Sequence, residues 1–414
     1  MDSTNPGLAH LIRDGALRRI MANTALVGLV GAVMNTSTSL FLATAIGATP
    51  LMIGLYFTGR GLLEVVAGLT LGALSDRTGN RRALLTLCSF VSAGGALAYA
   101  TIRNYYVLFA VGAVLFAIGG SGFAQLFAYN RDFASARALN PTLLNSVLRS
   151  ITSACWIVGP PLGFFLIAVR GFTTLYLIIA VLCVTSGVVC RWLLPDLTDT
   201  VTKRTAKGNP FTGIGRSLWL LILAVMLMLT VNIIYQINIA LFVTRDLGLD
   251  TGFTGLLLGF CAALEVGVIL LLGRHADRIG KWRLVLAATA CATIFFAALP
   301  FVHSKAGLLL LQLPNAFWTA IVLSIPVTIL QDAMGDRVGV ASSLYTSSFQ
   351  VGILLGGTTA GVVAEWLGFT DVFFVCAALA AAATVFLAAA ARLTRARDQA
   401  QASVPATASP GPAT

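Results

Sequence analysis

Arg60, Glu64, Arg149 and Glu265 are ionisable side chains set inside apolar stretches: LYFTGRGLLEVVAG (55–68), SVLRSITSACW (146–156) and CAALEVGV (261–268). A charge in such surroundings is costly, and a carboxyl there can carry a proton or balance a buried cation. Arg60 and Glu64 are four residues apart, so on a helix they share a face. They read as an intrahelical pair that eases burial, or as a cation offered to an anionic or hydroxyl-rich ligand. Charge also breaks the apolar pattern at GALSDRTGNRR (72–82) and GRHADRIGKWR (273–283). Gly72, Asp76, Arg77, Gly79 and Arg82 recur there as Gly273, Asp277, Arg278, Gly280 and Arg283, each offset by 201 residues.

The elements that must hold these residues follow from composition. The 414 residues are 57% hydrophobic and 10% charged, against about 45–50% and about 25% in soluble domains. Lipid is the expected solvent. A helix needs about 20 apolar residues to cross the hydrocarbon core, and twelve such runs are read: roughly 20–45, 51–74, 83–102, 106–129, 142–168, 172–194, 217–243, 252–274, 282–301, 306–330, 338–364 and 369–391. Residues 1–17 hold no long apolar core and do not read as a cleaved signal peptide. Of the 27 Lys and Arg, only Arg103, Arg170, Arg245 and Lys305 fall in outer loops, with Arg60 and Arg149 inside helices. That bias is a topology signal with both termini cytoplasmic, and it argues against a nucleic-acid patch as the source of the +11 charge. The seven cysteines sit singly in apolar helices and the three histidines are scattered. They read as packing residues, with no metal site, disulfide framework or cofactor expected.

The polar break at 195–216 divides the chain into two six-helix bundles, 1–194 and 217–397, followed by a low-complexity tail, 398–414, read as disordered. The offset of 201 also links Gly54 with Gly255, Glu64 with Glu265 and Asn35 with Gln236, and GFT occurs at both 171–173 and 368–370. The expectation is an all-α membrane protein of twelve transmembrane helices in two pseudo-symmetric six-helix bundles. Such repeats typify alternating-access transporters. In each charged loop Gly72 (or Gly273) allows close helix approach and Gly79 (or Gly280) a tight reversal. The aspartates can face a helix N-terminus, and the cluster reads as a latch between halves or as a capped basic loop.

Twelve helices in two halves with these loops resemble the major facilitator superfamily. A closer resemblance, to the bacterial sugar efflux transporter family, rests on QLFAYNRDFASARA (125–138), SVLRSITSACWIVGPPLGF (146–164), VNIIYQIN (231–238), ALEV (263–266), LLLQLPNAF (309–317) and LQDAMGDRVGVASSLYTSS (330–348). The resemblance implies that helices 5 and 8 lie side by side. At 1.5 Å per residue, Glu265 is about 20 Å from the outer surface and Arg149 about 10 Å from the inner one. In a core about 30 Å thick these depths coincide. An Arg149–Glu265 pair is therefore expected, with Glu265 the favoured protonation site and Glu64 the alternative; a permanent ion pair is the other reading. Gly159 and Pro160 in WIVGPPLGF form a kink like the family's helix 5 motif, or ordinary helix packing. The superfamily's helix 4 arginine is absent, which counts against a copied drug-exporter relay.

The resemblance also implies that helices 1, 4, 7 and 10 line the cavity. They carry Asn35, Gln125, Asn232, Tyr235, Gln236, Gln312, Asn315 and Trp318. Amides supply paired donors and acceptors, and Tyr and Trp supply flat faces for a sugar ring; interhelical hydrogen bonding is the alternative. The expected protein is a monomeric, proton-coupled sugar or glycoside exporter of the bacterial inner membrane, with small-molecule substrate, protons and lipid as its partners. A multidrug or natural-product exporter and a non-transporting receptor or scaffold are the alternatives. Without a P-loop, HExxH, GxSxG or Cys/His site, no enzyme is expected.

Overall fold

A computed structural model describes residues 14–137, 139, 141–196, 215–273, 275–334 and 338–402, and all regular structure among them is helical. Polar residues in the short loops start the first helices. Asp14 accepts from the Ala16 and Leu17 amides at α1 (Gly15–Thr44), Thr49 from Met52 at α2 (Pro50–Thr78), and Asn80 from Ala83 at α3 (Arg81–Thr101). Each satisfies amides that have no intrahelical acceptor. α4 (Tyr105–Ala136) passes through a π-helical stretch, Leu108–Ala113.

The helix Pro141–Val188 is broken at Gly171, where φ is +77°. Gly368 closes the equivalent turn at φ +90°. Both are the glycine of a GFT triplet, so that echo marks a turn only glycine makes without strain. The break defines α5 (141–170) and α6 (172–188). The remaining helices are α7 (Arg216–Leu241), α8 (Thr251–Gly273), α9 (Lys281–Ala298), α10 (Lys305–Met334), α11 (Val338–Leu367) and α12 (Val372–Ala402).

Eleven helical segments among the described residues are long and apolar enough to cross a membrane. One of them, Val147–Leu193, has 47 residues. At about 70 Å it is more than twice the hydrocarbon thickness. Divided at Gly171 it crosses twice, and the chain makes twelve crossings. α12 continues to Ala402, so the start of the expected disordered tail is helical. Residues 197–214 of the linker and 403–414 of the tail lie outside the described residues.

Asp250 starts α8: its Oδ1 accepts from Phe253 N at 2.8 Å and its Oδ2 from Lys305 Nζ at 3.0 Å. The Lys305 ammonium and the Phe253 N–H hold its carboxyl below the ordinary carboxylate range. Asp250→Ala is expected to cost about 1 kcal/mol, read as a lower unfolding midpoint in detergent. A depressed value stabilises the fold above the ordinary range and fails only as pH falls through it. The wild-type–variant difference should be constant from about pH 6 to 8 and close in acid.

Candidate functional site

The two halves meet along two seams, α2 against α11 and α5 against α8. Both are tight at the end remote from the charged loops. A Cβ on Gly54 would lie 2.5 Å from Gly357 O and Gly361 Cα; one on Gly255 would lie 3.0 Å from Pro160 O, and one on Gly259 2.4 Å from Pro161 Cγ. Small residues let backbones approach this closely. Gly54 meets Gly361 as Gly255 meets Pro160, so the offset of 201 relates the two seams as well as the two loops. Polar bonds join the halves at the same end. Leu51 N donates to Glu365 Oε2 (2.9 Å), Thr58 Oγ1 donates to Leu354 O (3.2 Å) and shares a hydrogen bond with Thr358 (3.0 Å), and Arg245 donates to Ala43 O. Toward the charged-loop end the packing ceases: Gly72 lies on the same face of α2 as Gly54, and a Cβ there would meet nothing within 4 Å among the described residues. The halves are therefore sealed at the far end and parted at the basic end.

The basic end corrects several expectations. Gly72 has open space rather than a close helix neighbour. Arg82 pairs at 2.8 Å with Asp196, where the chain leaves the N-terminal half, while Arg81 pairs with Asp132 at 2.6 Å and Lys281 with Asp332 at 2.6 Å inside their own halves. In this conformation the Arg82 cluster ties α3 to the end of α6 and does not latch the halves. Arg77, Arg278 and Arg283 are exposed. Gly79 and Gly280 do reverse the chain, at φ +68° and +96°. The side chains of Asp76 and Asp277, and the surroundings of Gly273, lie outside what the structure describes. Gly159 packs on α1, where a Cβ would be 2.9 Å from that of Ala32, while Pro160 and Pro161 face α8.

Arg149 and Glu265 form no ion pair among the described residues. The α5–α8 contact explains why, because it sets Gly259 against Pro161. Glu265 lies six residues, about 9 Å, from that crossing toward the basic end, and Arg149 twelve, about 18 Å. Depth counted from run ends hid this difference of register. Arg149 is exposed and within electrostatic reach of Tyr345 on α11.

What Glu265 touches instead is Cys261, whose Sγ donates to Glu265 Oε1 at 3.6 Å. Asn315 Nδ2 in turn lies 3.2 Å from Cys261 Sγ, 3.1 Å from the Tyr235 hydroxyl and 2.8 Å from Gln312 Oε1. Tyr235 also donates to Gln312 Oε1 at 3.4 Å. A continuous polar chain thus joins the half-buried Glu265 carboxyl on α8 to α10 and α7. Asn315 Oδ1 and Trp318 Nε1, an acceptor and a donor three residues apart, have no hydrogen-bond partner among the described residues. On α7 Gln236 Nε2 donates to Asn232 Oδ1 at 2.7 Å. Asn35 back-bonds to Gly31 O at 2.9 Å and, like Gln236, stays half-buried. Gln125 is buried with its Oε1 unpartnered.

The aromatic expectation changes. Tyr235 packs against Phe295, Phe296 and Phe373 and Trp318 against Phe296, and both are at most 4% exposed. Their faces are already covered by phenylalanines, so here only their polar edges remain for a ligand. Cys261 was read as packing and missed as a link, although its spacing of four from Glu265 put both on one helix face. Cys261→Ala is expected to weaken the response of flux to substrate and pH by roughly fivefold, the worth of one hydrogen bond. Cys261→Ser should restore it, read as KM at several pH values.

The family model for the Major Facilitator Superfamily matches residues 20–338. Sugar efflux transporter A of Dickeya chrysanthemi is 35% identical over 360 residues, covering 87% of this chain and 92% of that one. Sugar efflux transporter A of Escherichia coli (strain K12) is 33% identical over 377 residues, covering 91% and 96%. The crystal structure of nucleoside transporter NupG superposes with a TM-score of 0.77 over 90% of this chain and 98% of that one. At 12% identity that likeness concerns the fold alone.

Proposed function

The chain belongs to the Major Facilitator Superfamily, and from that premise we propose that it exports sugars or glycosides by proton-coupled alternating access. The observation that carries this reading is the pair of glycine seams, closed at one end and parted at the other. A rocking transporter caught open to one side has this form. Excess Lys and Arg at the parted end supports placing it, and both termini, in the cytoplasm of a bacterial cell, with the chain in the inner membrane. The similarity to sugar efflux transporters over most of both chains supports the substrate class. So does the neutral amide set Asn35, Asn232 and Gln236, which offers donors and acceptors in equal measure, as a polyhydroxylated ligand requires. Glu265 is the group to take the proton: it is a half-buried carboxyl on an apolar helix with a thiol, not a cation, for a partner among the described residues. Its chain through Cys261 to Asn315, Gln312 and Tyr235 gives proton and substrate a common set of residues. The protein works as a monomer without cofactor, and its charged loops act as gates when the basic end closes.

The test is flux in proteoliposomes of the purified protein under an imposed pH gradient, with a panel of glycosides and cationic dyes. Glycoside movement that follows the gradient is the expected result. Dye movement without glycoside movement would overturn the sugar assignment in favour of a drug exporter, and no flux of either would favour a receptor or scaffold.

A further inference from the structure

The loop between α1 and α2, residues 45–49, lies at the far, sealed end, and the backbone groups of the helix ends beside it can be followed one by one. At the end of α1, Phe41 O accepts from Ala45 N and Ile46 N, and Leu42 O accepts from Ala48 N. At the start of α2, Pro50 has no N–H to place, Met52 N donates to Thr49 Oγ1 and Ile53 N to Thr49 O. Ala43 O and Leu51 N take their partners from the other half instead. Arg245, at the end of α7, donates to Ala43 O, and Leu51 N donates to Glu365 Oε2, near the end of α11.

Each sign suits the helix end it meets. The carbonyl end of a helix is partly negative and favours a cation; the amide end is partly positive and favours an anion. The C-terminal half thus brackets one loop of the N-terminal half with charges of both signs. The internal repeat does not copy this device. Phe164 stands 201 residues before Glu365, and a Cβ on Gly255 would lie 2.8 Å from that of Phe164. Thr44 stands 201 residues before Arg245 and bonds back to Leu40 O in its own helix. At the equivalent place the α5–α8 seam therefore offers apolar packing where the α2–α11 seam offers charge. Arg245 and Glu365 are both exposed. Charge contacts in that setting are strong enough to bias an equilibrium and weak enough to break. Once they part, Ala43 O and Leu51 N meet water, and hydration replaces the lost bonds.

We propose that Arg245 and Glu365 are the gate of the far end: they hold the α1–α2 loop while the basic end is open and release it as the halves rock. This rests on the alternating-access reading above and adds to it the two side chains whose bonds must break in each cycle.

The experiment measures distance distributions between spin labels on the full chain in detergent. Cysteines replacing Tyr106 and Phe301, exposed at the far end of the two halves, report its opening. Cysteines replacing Thr78 and Ile279, exposed at the basic end, report the opposite movement. In Glu365→Gln or Arg245→Gln the ratio of far-end-open to far-end-closed molecules should rise roughly fivefold. The double variant should show roughly the product of the two effects, with the basic-end distance shortening in step. Arg245→Lys keeps a cation and a donor and should stay near the wild-type ratio. Ratios unchanged in both glutamine variants, or a shift in Arg245→Lys equal to that in Arg245→Gln, would overturn the gate. If neither glutamine variant folds, the wild type decides. Salt screens exposed charges, so its open fraction should rise with ionic strength, and a flat response would overturn the gate. A shifted ratio without flux of any glycoside would leave the gate and remove the export reading; glycoside flux with no change of ratio would do the reverse.

Discussion

Gly54→Val is expected to open the far-end seam and nearly abolish transport. The Cβ it adds falls 2.5 Å from Gly357 O and Gly361 Cα, both backbone atoms that no rotamer change can move aside. Overpacking of this kind costs about 1–3 kcal/mol. The cost arises only in the conformation where α2 lies on α11, so it shifts the equilibrium between conformations rather than lowering stability uniformly. A shift of that size is roughly 5- to 150-fold. Thr58 sits on the same seam, bonded to Leu354 and Thr358, so Thr58→Cys reports its opening. Alkylation of that cysteine by a membrane-impermeant maleimide should accelerate by that factor when Gly54→Val is added, while glycoside flux falls. Unchanged alkylation with unchanged flux would mean that the seam is not a moving contact.

Glu265→Gln is expected to sever flux from the pH gradient while leaving exchange down a sugar gradient. Glutamine keeps the size of the side chain and a carbonyl for the Cys261 thiol, but it cannot take up or release a proton. Among the described residues no cation pairs with the carboxylate, and in its half-buried place the charged form is penalised relative to the neutral one, offset only by one weak thiol bond. A group in that position responds strongly to any change in its access to water as the halves rock. Gradient-driven glycoside accumulation should fall to the level of protein-free liposomes, with counterflow retained. Accumulation that persists in Glu265→Gln would move the proton to Glu64, its equivalent in the other half. Loss of counterflow as well would make Glu265 a structural residue.

Class and plan were legible in the order of the residues. Apolar run length is a local property, and so are the lysine and arginine bias, the GFT turns and the repeat that pairs Gly54 with Gly255 and Glu64 with Glu265. These survive folding because the bilayer reads each helix largely on its own. The single long helix Pro141–Val188 still turns where Gly171 stood in the sequence.

Which charges meet depends on how the helices pack. Arg149 and Glu265 looked level because depth was counted from the ends of apolar runs, whereas register is set where Gly259 packs on Pro161. Tyr235 and Trp318 looked like sugar platforms because their types suit that task, but helix rotation turned their faces onto Phe295, Phe296 and Phe373. Cys261 became a link, and Arg60 came to lie over the Phe116 ring, through neighbours that come from other helices. Side-chain partnership depends on how helices cross, slide and rotate against one another, and those quantities are set by close-packed contacts spread over the whole chain, which no single stretch of residues records.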